Sequence, residues 1–218
     1  MSEDINPILQ EWDKDPNSDK IRMITGADGR DKIQIRIKFG LLQMESDGRP
    51  DGKRPYGKES LLEHYLSLIE IYKKEYGNDD GFTLDNHDCE RLRDESIQYY
   101  HRYVTLFELS DYRRAERDTA RNLRVLALLK KYAELQDDAN SLEQYKPYIT
   151  MMNARSKAIL LMKEDKYGDA LTSINKAINS IIDFYRESNY DEKKIEESQE
   201  LKILRESAID IRNKWESK

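Results

Sequence analysis

The feature that most constrains the fold is a helix–turn–helix unit that occurs twice, at 99–129 and at 153–185. At an offset of 55 residues the two copies carry similar side chains: Leu106 and Leu161, Phe107 and Met162, Tyr112 and Tyr167, Ala115 and Ala170, Leu123 and Ile178, Leu126 and Ile181. Apolar residues spaced by three and four fill the seam between two antiparallel helices, and a small residue after the turn lets them approach closely. The sequence therefore predicts a mostly α protein with helical hairpins at about 85–135 and 148–186.

The second copy resembles the tetratricopeptide pattern, because small or apolar residues occupy the positions where that pattern requires them: Ala158, Leu161, Tyr167, Ala170, Ile174 and Ala177. The first copy departs from the pattern at Tyr103, Thr119 and Asn122. The usual period is about 34 residues, so the observed offset implies an insertion of roughly 20. The resemblance implies a stacked helical array. Two ordinary amphipathic hairpins that align by chance are the alternative.

Further helices are expected on both sides of the hairpins, within a helical domain at 58–218. Ser60 has the spacing of a capping box, and a helix follows it to about Tyr76. A last helix at 192–216 carries an apolar stripe: Leu201, Leu204, Ala208, Ile211 and Trp215. Since a repeat array needs a final helix to cover its apolar edge, this segment is predicted to cap the array.

The N-terminal part is predicted to contain a β-hairpin. Residues 1–19 are an acidic tail with a short helical turn that ends at Trp12, which we expect to anchor it. Region 20–57 holds two strands and a loop rich in glycine, proline and arginine. A three-residue turn at 27–29 pairs Met23 with Ile33 and keeps one face apolar, whereas a two-residue turn would mix apolar and polar residues. A lone hairpin is marginal in water, so it must pack on the helices or extend its sheet with a second copy, which would form a homodimer.

Charge is distributed unevenly over this acidic protein, whose formal net charge is -6. Segment 91–131 holds ten basic residues against six acidic ones and forms a basic island. The overall charge argues against general nucleic-acid binding, although a local patch could still bind. No apolar run is long enough to cross a membrane, and the N-terminus has no secretory signal. With one cysteine, Cys89, no intramolecular disulfide forms and the cytoplasm is the expected compartment.

Motifs of catalysis and of cofactor binding are not found in the sequence. There is no P-loop, no GxGxxG, no GxSxG, no CxxC and no HExxH. His87 and Cys89 lie close together, but alternate residues near a helix start do not share a face, so no metal site is predicted. The expectation is a protein without enzymatic activity, cofactor or metal. A small hydrolase or transferase with an unrecognised site around the Arg49 loop is one alternative.

Four segments of the chain carry a further resemblance: 40–45, 47–52, Ala120-Arg121-Asn122-Leu123 and Met151-Met152-Asn153-Ala154-Arg155. They resemble an uncharacterised bacterial group that is often labelled as containing the UVR motif, the helical hairpin through which nucleotide-excision-repair proteins contact each other. The resemblance implies helical repeats and, by that label, a role in repair. The motif itself has an Arg-Asp pair late in its second helix, where this chain has Ile174-Asn175.

The candidate site is a groove between the two hairpins that binds an acidic or phosphorylated ligand. Its predicted residues are Arg102, Arg121, Asn122, Asn153 and Arg155, since arginine forks suit carboxylates and phosphates. The alternative is a buried ion-pair network with Asp94, Glu95, Asp118 or Glu143. Arg49 and Arg54 are further candidates for anion binding, or they pair with Asp47, Asp51 or a neighbouring helix and hold their loop.

The predicted function is therefore that of an adaptor, a protein that binds a protein or peptide partner without catalysis. A nucleic-acid or repair-complex factor that uses the basic island is the other reading.

Overall fold

The structure is a computed structural model, and it describes residues 4–14 and 20–218. The chain divides into two compact units, Met1–His64 and Tyr65–Lys218. It is mostly α-helical with an antiparallel sheet near the N-terminus, which confirms the predicted fold class. The predicted acidic tail at 1–19 falls partly outside the described residues, which contain its short helix α1 (Asn6–Trp12). Trp12 is buried, and the Arg22 guanidinium lies 3.9 Å from its ring centroid, so Trp12 anchors this segment as expected.

The sheet of the first unit contains strands β1 (Ile21–Thr25), β2 (Asp31–Ile37) and β3 (Gly40–Glu45) in that order. Met23 lies opposite Ile33 on β2, which is the register predicted from the apolar face. Gly29 has a φ of +74°, a conformation that glycine adopts without a Cβ penalty. The three-residue turn is therefore confirmed.

The third strand was not predicted. Gly40 ends the strict alternation of the second strand, and the apolar residues Leu41, Leu42 and Met44 that follow it predict a connection to the helices. In the structure the chain turns tightly after Ile37, and Leu42 then faces Ile35 while Met44 faces Ile33. A hairpin that is marginal alone gains a third strand with a common apolar face.

The helices of the remaining chain begin at side-chain caps in several cases. Their bounds are α2 (Leu61–Tyr76), α3 (Asn86–Glu108), α4 (Tyr112–Tyr132), α5 (Gln136–Asn140), α6 (Lys146–Lys163), α7 (Tyr167–Glu187), α8 (Glu192–Glu196) and α9 (Gln199–Glu216). The side chains of Asp85, Asp111 and Asp191 accept hydrogen bonds from backbone N–H groups of the first turns of α3, α4 and α8. Such bonds satisfy donors that have no partner within the helix.

The two hairpins turn in the same way. Ser110 and Asp165, which are 55 residues apart, both have a φ of +61°. The next residue in each copy donates its backbone N–H at 2.9 Å to the carbonyl of the matched leucine, Leu106 or Leu161. Ala115 and Ala170 are both fully buried near the starts of the second helices. Sequence repeat and backbone geometry therefore agree, and α3–α4 and α6–α7 are the predicted hairpins.

The hairpins stack side by side, because α4 packs against α6, and α7 packs against α9. The inserted residues between the hairpins form α5 and a short 3₁₀ turn, Glu143–Tyr145. Tyr167 stacks on Trp215, with ring centroids 6.4 Å apart. The last helix therefore covers the second hairpin, as predicted.

Two helix ends differ from the predictions. Helix α4 was expected to reach about Leu135, but it ends at Tyr132 because the next residues extend beside Leu84, whose N–H donates to the Tyr132 carbonyl at 2.7 Å. The last helix was predicted to be continuous, but it breaks before Gln199. In one straight helix Ile195 would point away from the Leu201 stripe, and the break allows it to be buried.

Candidate functional site

The interior of the first hairpin holds a network of buried charges. Arg102 has no exposed surface, and its guanidinium donates two hydrogen bonds to the Asp118 carboxylate, at 2.6 and 3.0 Å. Arg121 is nine-tenths buried and forms an ion pair with Glu95, which is completely buried. These are the ion pairs of the alternative reading, so both guanidiniums already have anionic partners within the protein.

The ring of Tyr99 lies close to both arginines. The guanidinium carbons of Arg102 and Arg121 are 4.7 and 4.1 Å from its centroid. Burial raises the pKa of Tyr99, and the two arginines oppose that rise. Asn122 accepts a hydrogen bond from Arg121 and donates to the Ser96 carbonyl at 3.0 Å. Cation–π contacts and hydrogen bonds therefore complete the network.

The predicted groove is thus corrected in its composition. Arg102, Arg121 and Asn122 face the inside of the first hairpin and not the surface between the hairpins. Asn153 donates to the Glu116 carbonyl at 3.1 Å and to the Thr119 hydroxyl at 3.0 Å, so it ties α6 to α4. Arg155 is the remaining residue of the five that were predicted for the groove. It is a cation outside the buried network, and it connects the two hairpins.

Arg155 reaches from α6 to α3, where its guanidinium lies 4.8 Å from the centroid of the Phe107 ring. Its side chain is half-buried, and burial lowers its pKa, while Tyr112 and Tyr148 oppose the shift. Within the described ranges, 4–14 and 20–218, no carboxylate lies within ion-pair distance of Arg155 and no hydrogen bond to its guanidinium is present. A half-buried guanidinium still retains its charge at neutral pH, because arginine side chains are not deprotonated in proteins.

These neighbouring side chains, which we call the Arg155 recess, are Arg155, Phe107, Tyr112, Tyr148 and Tyr100. The rings of Tyr100 and Tyr148 are 6.3 Å apart and connect α3 to α6. Burial raises the pKa of Tyr148, so its hydroxyl remains protonated and can donate a hydrogen bond. The recess therefore offers a positive charge, hydroxyl donors and aromatic surface at one place.

A second concave surface lies along α6 and α7, and we call it the α6–α7 groove. It has a volume of about 520 Å³ and includes Lys157, Lys176, Asp169, Thr172 and Ser173 in its lining. Lys157 is two residues after Arg155, about 200° further around the helix, so the α6–α7 groove lies on the opposite side of α6 from Arg155. The α6–α7 groove contains charges of both signs and is open to solvent.

The two arginines of the N-terminal loop have different environments. The Arg49 Nε atom lies 3.1 Å from an Asp51 carboxylate oxygen, as expected if Arg49 holds the loop together. Arg54 is exposed, directly before the short turn that contains Tyr56. His64 stacks on Tyr56 with ring centroids 3.9 Å apart. The contacts of this loop therefore include an ion pair and a stacked ring pair, and the enzyme alternative stays a prediction.

Most cations of the basic island at 91–131 are paired with carboxylates. The pairs are Arg93 with Asp138, Arg102 with Asp118, Arg114 with Asp111, Arg117 with Asp118, Arg121 with Glu95, and Lys131 with Asp79. The formal excess of positive charge is therefore largely compensated within the fold. A surface that binds phosphates along a nucleic acid needs cations that face solvent together.

Metal-binding geometry is not present in the part of the chain that the structure describes, where no three His, Cys, Asp or Glu side chains form a possible metal site. Burial raises the pKa of the Cys89 thiol to about 11, so the reactive thiolate is scarce at neutral pH. Across the described residues no helix combines the length and the apolar character that crossing a membrane requires.

Comparisons with protein-family models, with curated proteins and with solved structures found no match. The resemblances to tetratricopeptide repeats and to the UVR-labelled group therefore stay predictions. Assignment of a function has to start from the geometry of the Arg155 recess.

Proposed function

We propose that the protein is a non-catalytic adaptor that binds an acidic segment of a partner protein in the Arg155 recess. The observation that supports this is the half-buried guanidinium of Arg155, which has no anionic partner among the described residues. Removing a charge from water without a counter-charge is unfavourable. A carboxylate supplied by a ligand would offset that cost, whereas Arg102 and Arg121 already have carboxylate partners.

An acidic peptide suits the recess better than a lone anion, because aromatic side chains lie beside the cation. The centroid of the Phe107 ring is 4.8 Å from the guanidinium, and Tyr148 is close enough to interact with Arg155 electrostatically and has a hydroxyl that can donate. Aromatic residues and arginine are enriched where binding energy concentrates in protein interfaces. A phosphorylated peptide shares the same chemistry, since an arginine fork also binds phosphate.

The nucleic-acid reading has less support. Its cations, the basic island, are mostly bound to carboxylates, so few counterions would be released on binding. It predicts strongly salt-dependent binding of DNA or RNA, which an adaptor for acidic peptides does not require. A repair role would appear as a preference for an oligonucleotide over a peptide.

Binding can be tested by fluorescence anisotropy with three labelled probes: a hexaglutamate peptide, a phosphoserine peptide and an oligonucleotide. A charged hydrogen bond contributes about 1.5–3 kcal/mol, so we expect Arg155→Gln to weaken peptide binding by at least about tenfold. Lys157→Gln is the matched control, because it removes a positive charge from the opposite side of α6. The affinity of Lys157→Gln for the peptides should stay close to that of the unmodified protein.

Three results would contradict the proposal. One is that no peptide probe binds at low salt. Another is that Lys157→Gln weakens binding as much as Arg155→Gln, which would move the site to the α6–α7 groove. The third is that the oligonucleotide binds more tightly than both peptides. A preference between the two peptides identifies a carboxylate or a phosphate as the ligand group.

A further inference from the structure

The outer edge of β1 has backbone groups that follow a regular pattern. Within the sheet, Gly26 donates its N–H to the Arg30 carbonyl, and Arg36 donates to the Lys20 carbonyl. Bonding towards the neighbouring strand alternates along an antiparallel pair. Arg22 and Ile24 therefore bond to β2, and the N–H and C=O groups of Ile21, Met23 and Thr25 point away from the sheet.

These outward groups have no hydrogen-bond partner among the residues that the structure describes. The opposite edge of the sheet is different, because the Glu45 N–H on β3 donates to the Pro50 carbonyl at 2.9 Å. The chain's own loop thus occupies one end of the β3 edge, while no residue in the described ranges 4–14 and 20–218 bonds to the outward backbone groups of β1. An edge of this kind is a template for a further strand.

We propose that the added strand is β1 of a second copy of this chain, related by a two-fold axis that passes beside Met23. The geometry then places Met23 opposite its own copy, and Ile21 opposite Thr25 of the other chain. Each of these facing pairs can exchange both of its N–H···O bonds, because all of the groups already point outward. Two three-stranded sheets thereby become one continuous antiparallel sheet.

The side chains of β1 are compatible with pairing to a second copy. The one charged residue of the strand, Arg22, faces Ile24 of the other chain in this register, so no like charges meet. Arg22 is also held over Trp12 and donates to the Gln34 side chain at 2.9 Å, which keeps it away from the edge. Met23 is 37% exposed and continues the apolar face of Ile33 and Met44 across the axis. Proteins that prevent edge pairing often use prolines or bulges, and β1 has neither.

The test is the oligomeric state of the full chain, measured by light scattering over a concentration series. The unmodified protein should be a dimer. Met23→Lys places like charges on the axis and should raise the dimer dissociation constant by at least about tenfold. Met23→Glu should do the same, and mixing the two variants should restore a dimer that contains one of each. Leu42→Lys is the matched control, since Leu42 is also 37% exposed on the same face but lies on β3. It should remain dimeric.

A second measurement does not depend on charge variants. Residues that face each other in a hydrogen-bonded antiparallel pair have Cα atoms about 5.5 Å apart, which lies within the range for a disulfide. Met23→Cys should therefore form a covalent dimer on mild oxidation, whereas Leu42→Cys should stay monomeric on a denaturing gel. A monomeric unmodified protein at high concentration, or equal cross-linking of both cysteine variants, overturns the proposal.

Discussion

Replacing Asp118 by asparagine tests the buried network most severely. The substitution preserves the shape of the side chain but removes the charge that Arg102 and Arg117 share. Arg102 has no exposed surface, so water cannot replace the lost partner. Breaking a buried ion pair by removing one member costs about 3–5 kcal/mol, because an uncompensated charge stays inside. We expect a loss of unfolding free energy in this range.

The measurement is urea-induced unfolding, supported by thermal melting. For a chain of this size a cost of that magnitude corresponds to a melting temperature lower by roughly 6–20 °C. The double variant Arg102→Met/Asp118→Leu should be more stable than Asp118→Asn, since it leaves no buried charge without a partner. Glu192→Gln is the control, because it breaks an exposed pair with Arg186 and should change stability little. A loss below about 1 kcal/mol for Asp118→Asn, typical of an exposed pair, would refute the reasoning.

Three further predictions concern the turns and helix contacts of the second unit. The hydrogen bond from the Tyr132 hydroxyl, together with neighbouring lysines, lowers the pKa of Asp79 to about 2. The ionised Asp79 therefore stabilises the fold above the unfolded-state pKa near 4, and this stabilisation is lost as the pH falls towards 2. In thermal melts, Asp79→Asn should make the melting temperature less dependent on pH in this acidic range. Ser110→Gly should stabilise the protein by up to about 1 kcal/mol in urea unfolding, because glycine adopts the positive φ more readily, whereas Ser110→Val should destabilise it. Ala115→Leu and Ala170→Leu should each cost about 1–3 kcal/mol by overpacking, and a harmless effect of either would contradict the equivalence of the two hairpins.

Local patterns in the sequence were sufficient for the sheet register and the hairpin turns. The pairing of Met23 with Ile33 follows from keeping one face apolar, and it is observed. The equivalence of Ser110 and Asp165 follows from the repeat offset, and both residues have the same backbone conformation. Such features depend on neighbours within a few residues or on a simple period, and they can therefore be predicted without coordinates.

Features that depend on three-dimensional packing were not predicted. The third strand was not predicted because Gly40 ends the alternation of apolar and polar residues, although Leu42 faces Ile35 in the sheet. The break before Gln199 was not predicted because the burial of Ile195 depends on residues that are not its neighbours in the sequence. In both cases a contact distant in sequence outweighs the local pattern.

The residues of the candidate site also depend on packing between helices. Arg102 and Arg121 were predicted to line a groove, because the sequence alone does not distinguish an arginine on a buried helix face from one on an exposed face. Arg155 was included, but its neighbours Phe107 and Tyr148 were not. Phe107 aligns with Met162 in the repeat and was treated as a core residue. Its contact with Arg155 exists only because α3 and α6 meet, and no local signal reports that.

The proposed adaptor function depends most on Arg155 as the cation that binds the acidic ligand. Its side-chain Nε–H signal can be observed in a ¹⁵N-arginine-labelled sample and assigned by its absence in Arg155→Gln. Titration with the hexaglutamate peptide should shift this signal, while the signals of Arg102 and Arg121 stay in place because their partners are buried carboxylates. An Arg155 signal that does not move when the peptide is saturating would contradict the account.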